Sequence, residues 1–290
     1  MAMRWLVKAV AISVTALCLA GVPSPSAATP RQTVAPGDCG TILSKPGGGS
    51  WVCTFVDNFT GRSLDRTKWL PQLYYDTGTG AGRACNVDSP DNIKVASGTL
   101  RLSVRKVDTP IYCQGGMADY TSSSISTFHL FSQQYGRFEA RMKVQGTGGP
   151  IPGLQEAFWM WPDDRVPSDV EWPAAGEIDI AELYSQYNRY AVPFLHYTAD
   201  NNGGPKPGLN TAYCAASRGR FNRYTLIWTP STLTIQVNGK NCLVNNSGDP
   251  AFQKPYILVF SQMLGVGANA LTPQTPIPAT MHVDWVKVWR

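Results

Sequence analysis

Three acidic residues lie within the segment 176–182, whose sequence is GEIDIAE. In a β-strand, residues two positions apart share a face, so Glu177 and Asp179 point to one side and the isoleucines to the other. Glu182 is five positions after Glu177 and would face the isoleucine side of a regular strand. One extra residue, accommodated by a β-bulge near Ile180-Ala181, would return Glu182 to the side of the other two acids.

This spacing of carboxyl groups suits the hydrolysis of a glycosidic bond. Residues about four strand steps apart have Cα atoms about 13 Å apart. Glutamate side chains that lean towards each other shorten the gap between their carboxyl groups to the roughly 5–5.5 Å of a retaining glycosidase. The alternative is the solvated face of an ordinary strand. The segment favours catalysis, because it contains no Lys or Arg to relieve the repulsion between its acids.

Other segments carry a matching pattern along the chain. DNFTG at 57–61 is followed by Leu64, Asp65 and Trp69, YGRFEARMK occupies 135–143, and MHVDWVKVW occupies 281–289. Together with the acidic segment, these stretches resemble the signature of glycoside hydrolase family 16 in its bulged, laminarinase-like form. The resemblance runs in register from about Thr54 to Arg290.

The resemblance implies roles for the three acids in a double displacement. Glu177 would attack the anomeric carbon while Glu182 protonates the departing oxygen, and Glu182 would then activate the water that releases the sugar. Asp179, between them, would orient one of the pair. The negative charge of Glu177 is expected to raise the pKa of Glu182, so that Glu182 holds a proton before the reaction. This chemistry requires no metal or other cofactor.

Aromatic and polar residues near the acidic segment are candidates for binding the sugar. Indole rings match the flat C–H face of a pyranose and lose little entropy on binding. Trp159 and Trp161 lie on the same face of a strand, so both could face the cleft, with core packing as the alternative. Trp172 stands where the family has a sugar-contacting Trp. The resemblance also implies that His196 faces the catalytic pair, with a buried structural His as the alternative, and that Gln262 faces the cleft.

Two positions depart from the family pattern. QEAFW at 155–159 stands where the resemblance expects Trp-Pro-Ala-x-Trp, which removes one aromatic platform and adds the charge of Glu156 near the cleft. The other is Asn58, where the family usually has Glu. Relatives often bind calcium through that Glu, a backbone carbonyl near a residue like Gly98 and an Asp at the position of Asp284. A neutral amide weakens a site for a hard cation, so a structural calcium stays an open alternative.

The N-terminal residues predict export. Arg4 and Lys8 precede an apolar run at 9–20 and then Ser26-Ala27-Ala28, which is typical of a signal peptide, so residues 1–28 are predicted to be removed. Residues 29–37 form a short linker. No later segment approaches about 18 apolar residues, so we predict a secreted protein without a membrane span. Without Arg4 and Lys8, 23 basic residues remain against 20 acidic ones, which gives no indication of nucleic-acid binding.

Six cysteines follow the signal peptide, which itself contains Cys18. An even number in an exported protein favours three disulfides, for which about 15 connectivities exist. We predict that neighbours in the sequence pair, because each bond then closes a modest loop. Zinc is the alternative, although the chain has no CxxC pair and only three His. The predicted pairs are Cys39–Cys53, Cys85–Cys113 and Cys214–Cys242.

The remaining residues, 38–290, are predicted to form a single domain of β-strands. Short runs of alternating apolar residues are separated by Gly, Asn, Pro and Asp, and no apolar pattern of period 3.6 lasts three turns. Such a chain predicts an antiparallel β-sandwich, which the family resemblance narrows to a jelly roll with a concave cleft. We expect loops at 146–152, 161–175 and 200–208 to border the cleft, with the middle loop contacting substrate.

We therefore predict a secreted, endo-acting, retaining β-glucanase that hydrolyses β-1,3-glucan of the laminarin type as a monomer. Its partner would be the polysaccharide, with no nucleic acid and no membrane involved. Transglycosylation is an alternative, because a sugar hydroxyl can replace water in the second step. Further alternatives are a hydrolase of mixed-linkage glucan or galactan and a non-catalytic carbohydrate-binding module, against which the intact set of acids argues.

Overall fold

Strands account for the regular structure of the chain, as the alternation of apolar and polar residues predicts. The computed structural model describes residues 38–73, 76–79, 82–199, 206–210 and 214–290. The predicted signal peptide 1–28 and linker 29–37 lie outside the described residues, as do positions 200–205 of one predicted loop. The described residues belong to one compact unit, Val34–Arg290.

The described part of the chain contains 17 strands and the 3₁₀ helices Pro250–Phe252 and Gly267–Asn269. No helix within it is long and apolar enough to cross a membrane. The strands are β1 (Cys53–Asp57), β2 (Leu70–Pro71), β3 (Asp76–Thr77), β4 (Ala84–Asn86), β5 (Ile93–Ala96), β6 (Thr99–Cys113), β7 (Gly116–Ser126), β8 (Gly136–Lys143), β9 (Leu154–Pro162), β10 (Glu177–Tyr184), β11 (Tyr190–His196), β12 (Cys214–Ala215), β13 (Asn222–Trp228), β14 (Leu233–Val237), β15 (Lys240–Asn245), β16 (Tyr256–Leu264) and β17 (Ala279–Trp289).

The strands form two antiparallel layers, which confirms the predicted β-sandwich. The back sheet has the order β15-β14-β13-β8-β17, and the far edge of β17 pairs with β6 along 279–283 and with β1 along 286–289. Strand β5 adds to β6. The front sheet has the order β11-β10-β9-β16-β7-β2. The long β6–β7 pair joins the two layers, and β12 and β4 extend the front sheet at β11 and β7.

Alternate residues of the two layers meet in the core. Ile178 and Phe158 point inward from the front sheet, and Phe138 does so from the back sheet. The rings of Phe158 and Phe260 stack with their centroids 4.8 Å apart. Each fully buried side chain of this size stabilises the fold by about 1.5–3 kcal/mol. Because the apolar residues of β10 are fixed in this core, its acids have to point to the opposite side of the front sheet.

Three disulfide bonds join distant parts of the sandwich, and they are the three that were predicted. The pairs are Cys39–Cys53, Cys85–Cys113 and Cys214–Cys242, with sequence separations of 14, 28 and 28 residues. Each loop closure is expected to stabilise the fold by about 2–4 kcal/mol. Cys214 lies in β12 and Cys242 in β15. The third bond therefore links the β12 edge of the front sheet to the β15 edge of the back sheet.

Candidate active site

The bulge predicted in the acidic segment is present in β10. Against β9, Asp179 pairs with Trp159 and Ala181 pairs with Phe158, so two steps along β10 match one step along β9. The pairing with β11 shifts in the same place, between Asp179 and Glu182. The extra residue brings Glu182 to the face that carries the other two acids.

Glu177 begins β10 and faces the loop that precedes this strand. The indole Nε1 of Trp172, which belongs to that loop, donates a hydrogen bond of 2.8 Å to Glu177 Oε2. Burial raises the pKa of Glu177 to about 8, with a further rise from the charge of Asp179 and opposition from His196 and Trp172. The acidic cluster therefore keeps a proton through neutral pH.

Asp179 lies between the two glutamates and is 4% exposed. Its Oδ2 is 3.2 Å from Nε2 of His196, which lies opposite Glu177 on β11. Burial and the charge of Glu182 raise the pKa of Asp179 well above its usual range, whereas burial lowers the pKa of His196 despite the neighbouring acids. This approach places the imidazole of His196 beside the acids.

Glu182 is held by two neutral donors that sequence analysis did not identify. The hydroxyl of Tyr184 donates to Glu182 Oε1 over 2.6 Å, and the amide of Gln155 donates to the same oxygen over 2.9 Å. Burial raises the pKa of Glu182, and Tyr184, His196 and Gln155 oppose the rise. The pKa is raised as predicted, but burial is the main cause rather than the charge of Glu177. Because Oε1 accepts both hydrogen bonds, Oε2 is the oxygen left to carry a proton.

Strand alternation contains the signal for both donors. Tyr184 is two residues after Glu182, beyond the bulge, so the two side chains share a face. Gln155 lies directly opposite Tyr184 in the register of β9 and β10. In the sequence, Gln155 marks the loss of an aromatic platform, whereas its hydrogen bond to Glu182 follows from the register of β9 and β10.

Trp159 and Trp161 face away from the core, with ring centroids 6.1 Å apart. Phe158, which immediately precedes Trp159 in β9, points into the core. Trp159 lies directly opposite Asp179 of β10. Trp172 is 46% exposed. Core packing, the alternative for these tryptophans, is therefore wrong, and contact with substrate stays a prediction.

Two predictions about the cleft are wrong, and strand parity gives the reason. Gln262 is fully buried on the side of β16 that carries the core residue Phe260, and its amide donates to Glu156 Oε1 over 3.3 Å. Glu156 is fully buried as well. Its carboxylate accepts hydrogen bonds of 2.7 and 2.8 Å from Arg218. Gln262 thus does not face the cleft, and the charge of Glu156 lies behind the front sheet.

The ion pair between Arg218 and Glu156 supports the strand that carries Glu182. Arg218 Nη1 also donates to the carbonyl of Leu183 over 3.2 Å, and its Nε donates to the carbonyl of Gln145 over 2.9 Å. The bidentate geometry and the extra bonds satisfy a guanidinium that is almost fully removed from water. The pair therefore fixes the backbone next to the acid from behind.

The three loops expected to border the cleft have different outcomes. Trp172 brings the loop at 161–175 into contact with Glu177, as predicted. The loop at 146–152 lines a separate cavity of about 220 Å³ with Asn188, Arg189 and Arg218, and none of the three acids lines that cavity. Most of the loop at 200–208 lies outside the described residues.

The residues proposed for calcium fit that ion poorly. Asp284, the one charged ligand of the set, forms an ion pair with Arg141. Asn58 supplies a neutral amide and Gly98 only a backbone carbonyl, so a divalent cation would meet an acid that is already neutralised. In the acidic cluster, one ligand atom each of Glu177, Asp179 and His196 lies within 4.8 Å of the others, close enough for a metal ion.

The chain is similar to a known family and to several known proteins. The sequence matches the model described as "Glycosyl hydrolases family 16" over residues 82–287. It is 28% identical over 261 residues to "Glucan endo-1,3-beta-glucosidase A1" of Niallia circulans, covering 81% of this chain and 37% of that protein. It is 27% identical over 239 residues to "Keratan-sulfate endo-1,4-beta-galactosidase" of Sphingobacterium multivorum, covering 78% of this chain and 52% of that protein. The chain thus spans about half of these relatives or less.

Solved structures share the fold. The laminarinase from Rhodothermus marinus superposes with a TM-score of 0.67 at 25% identity, covering 83% of this chain and 97% of that one. A variant of SCLam, described as a non-specific endo-β-1,3(4)-glucanase and crystallised with an oligosaccharide, gives a TM-score of 0.70 at 26% identity. That match covers 89% of this chain and 100% of the other.

Proposed function

Since the chain belongs to family 16 of the glycosyl hydrolases, as the resemblance predicted, we propose that it is an endo-acting enzyme that hydrolyses β-1,3-linked glucan with retention of configuration. The observation that carries the proposal is the bulge in β10, which gathers Glu177, Asp179 and Glu182 on one face. Relatives named as an endo-1,3-β-glucosidase and a laminarinase support the choice of glucan.

In the first step, Glu177 attacks the anomeric carbon, and the glycosidic oxygen leaves with a proton from Glu182. The Trp172 indole occupies Oε2 of Glu177, so Oε1 is the oxygen available for attack. In the second step, Oε2 of Glu182 accepts a proton from water. The water oxygen bonds to the anomeric carbon, the glycosyl ester breaks, and the electron pair returns to the carboxylate of Glu177.

The protonation of the three acids sets the pH range of this reaction. The reactive form has Glu177 ionised and a proton on Glu182. Asp179 interacts with both glutamates, so the three acids titrate as a group. Burial raises the pKa of Glu182, the acid of the first step. We therefore expect kcat/KM to fall on the alkaline side once Glu182 has lost its proton, because the leaving group then finds no acid.

Three tryptophans supply the sugar-binding planes in this proposal. Trp172 binds Glu177 and lies 5.3 Å, centroid to centroid, from the ring of His196. It would therefore pack against the sugar whose anomeric carbon reacts. Trp159 and Trp161 lie on the neighbouring strand with their rings nearly perpendicular. This arrangement suits a glucan chain that bends, because the two indoles offer planes of different direction.

A panel of polysaccharides with sizing of the products tests the proposal. We expect laminarin to be cut to a ladder of short oligosaccharides, while agarose, carrageenan and xyloglucan stay intact. NMR of the fresh hydrolysate should show the β-anomer first, and an initial α-anomer would contradict retention. Glu177→Gln is the matched inactive control. Treatment with EDTA should leave turnover unchanged, because two carboxylates carry out the chemistry.

Hydrolysis of a β-linked galactan is the second candidate, and one observation favours it. Gln155 places a polar amide beside Glu182, where the family resemblance expects an aromatic platform, and one relative is named a keratan-sulfate endo-β-galactosidase. Cleavage of a galactan and not of laminarin in the same panel would select this candidate. Binding without any cleavage would instead select a carbohydrate-binding module.

We further propose that the protein acts outside the cell as a monomer. The three disulfides support an oxidising compartment. N-terminal sequencing of the exported protein should then begin at Thr29. A cytoplasmic location with free thiols would contradict the first part of this proposal, and a dimer on size exclusion would contradict the second.

A further inference from the structure

The outer face of the back sheet carries a row of basic residues that the proposed reaction does not use. Lys94 lies opposite Arg101, Arg101 opposite His282, and His282 opposite Lys143. These four residues, called the basic row below, cross β5, β6, β17 and β8. The sequence neighbours of each are core residues, so the four side chains share the outward face. With strands about 4.8 Å apart, the row extends over about 14 Å.

Among the described residues, no ion pair involves Lys94, Arg101 or Lys143. Like charges directly opposite each other on neighbouring strands destabilise a sheet. The nearby acids Asp284 and Glu139 form ion pairs with Arg141 and Arg137, which lie outside the row. Burial and the charges of Lys143 and Arg101 lower the pKa of His282 to about 4. Burial is the larger cause of this low pKa, so His282 is a neutral residue between Arg101 and Lys143.

Basic side chains beside the row meet an aromatic ring. Arg141 lies opposite Arg223 on β13, and each is paired with an acid, Arg141 with Asp284 and Arg223 with Glu139. The guanidinium of Arg141 is 4.3 Å from the centre of the Phe221 ring, and Lys143 Nζ is 5.1 Å from it. Phe221 is partly exposed. The face thus offers cations next to an apolar ring that can contact C–H groups.

We propose that the basic row binds an anionic polysaccharide with sulfate or carboxylate groups on successive sugars. An extended polymer can lie straight across the strands, where its anionic groups meet Lys94, Arg101 and Lys143 in turn. The ring of Phe221 suits a sugar better than a bare phosphate surface, because a sugar presents C–H groups as well as charge. The basic row lies on the layer opposite the three acids. It would hold the enzyme on a charged matrix while the cleft remains open to neutral glucan.

The experiment measures binding to defined polymers and does not rely on hydrolysis. The Glu177→Gln chain is used throughout, so the result is independent of the proposed function. Dextran sulfate and polygalacturonate distinguish sulfate from carboxylate, and neutral dextran controls for the sugar backbone. The row variant is Lys94→Gln, Arg101→Gln and Lys143→Gln together. The matched control, Arg62→Gln, Arg189→Gln and Lys254→Gln together, removes the same charge away from the row.

We expect the row variant to bind its preferred polyanion about tenfold more weakly or worse, because three charge contacts are lost. The control variant should bind within about twofold of the parent, and binding by the parent should weaken as salt is added. Equal weakening in the two variants would overturn the proposal, because net charge alone would explain it. Binding to vesicles of phosphatidylglycerol but to neither polysaccharide would also overturn it.

Thermal unfolding of the same variants separates binding from folding. Removing like charges that face one another should leave Tm unchanged or raise it by a few degrees. A rise would support the inference, because it shows that the row costs stability that a bound polyanion could restore. A lower Tm together with unchanged binding to dextran sulfate would assign the row a structural role and contradict the inference.

Discussion

Like charges stand side by side in two regions of this molecule, the three acids of β10 and the basic row of the back sheet. The acids are buried or half-buried, and neutral donors such as Trp172 and Tyr184 contact them. The basic row lies on an outward face, where solvent and salt screen its charges. In the acidic cluster, burial makes ionisation costly and raises the pKa of Glu177 to about 8. The acidic face therefore holds a proton that chemistry can use, whereas the lysines and the arginine of the basic row lie on an outward face where they can attract anions.

Among the changes that test this comparison, replacing Glu177 should have the largest effect on turnover. Glu177→Gln should lower turnover of laminarin by at least about 10,000-fold, because no other group can form the glycosyl ester. A reducing-end assay at saturating laminarin measures this. Lys94→Gln, which removes a charge from the basic row, is the control and should keep full turnover on the soluble, neutral substrate. Residual turnover within about 100-fold of the parent would show that Glu177 is not the nucleophile.

The second prediction distinguishes the acids from one another. Glu182→Gln should slow natural substrates by roughly 100- to 10,000-fold, because general acid–base assistance is lost. Aryl glycosides with activated leaving groups should lose less in the first step, since they depart without a proton. Asp179→Asn should lose less than Glu177→Gln, because both reacting groups remain. Equal losses on natural and activated substrates would remove Glu182 from the acid role.

Buried charges of opposite sign give the third test. Arg218→Met leaves Glu156 buried without its partner and should lower the free energy of unfolding by about 3–5 kcal/mol. Urea denaturation measures the loss. The double variant Glu156→Leu with Arg218→Met should recover most of it, because no charge stays buried. If the double variant is as unstable as the single one, packing rather than charge explains the effect.

The fourth prediction concerns stability at alkaline pH. The pKa of Glu177 is raised in the folded chain, so the folded state keeps a proton that the unfolded chain loses at the ordinary pKa of 4.5. The stability linked to this proton is present below the ordinary pKa and is lost as the pH rises through about 8. Glu177→Gln should therefore gain about 1–3 kcal/mol relative to the parent between pH of about 5 and about 9. Urea denaturation measures the free energy of unfolding of both proteins at each pH. If the two values change in parallel with pH, this prediction is wrong.

The smallest effect is expected from removing a side chain that donates a hydrogen bond to Glu182. Tyr184→Phe removes a hydrogen bond that opposes the rise in the pKa of Glu182. The alkaline fall of kcat/KM should therefore move to higher pH, with a loss of roughly three- to tenfold in rate at neutral pH. Tyr187→Phe is the control, because its ring packs edge-on against Tyr184 with centroids 6.3 Å apart. A rate that falls equally at every pH would mean that Tyr184 has only a structural role.

The sequence predicts well what depends on neighbours along one strand. The parity of Glu177, Asp179 and Glu182 predicts the bulge, because only one extra residue can bring all three to one face. The same reasoning applied to β16 would have turned Gln262 inward with Phe260, two residues before it. The family resemblance does not fix which face of β16 Gln262 takes, whereas the alternation of the strand does.

Other features depend on contacts between distant segments, and the sequence contains no local sign of them. Arg218 lies in a loop between β12 and β13, yet it pairs with Glu156 in β9. The basic row appears only when the registers of β5, β6, β17 and β8 are known. Alternation tells which face a side chain takes, but register decides which side chains become neighbours.

The position of β17 within the back sheet has a consequence for how the chain is made. Strand β17 is synthesised after all of its partners, yet it separates β8 from both β6 and β1. Pairing segments so far apart in sequence carries a large loop-closure entropy and slows folding. Until residue 289 has left the ribosome, the back sheet has a gap at its centre and its apolar face is open to water. We therefore expect the nascent chain to remain unfolded during synthesis, in the state that a secretory channel accepts.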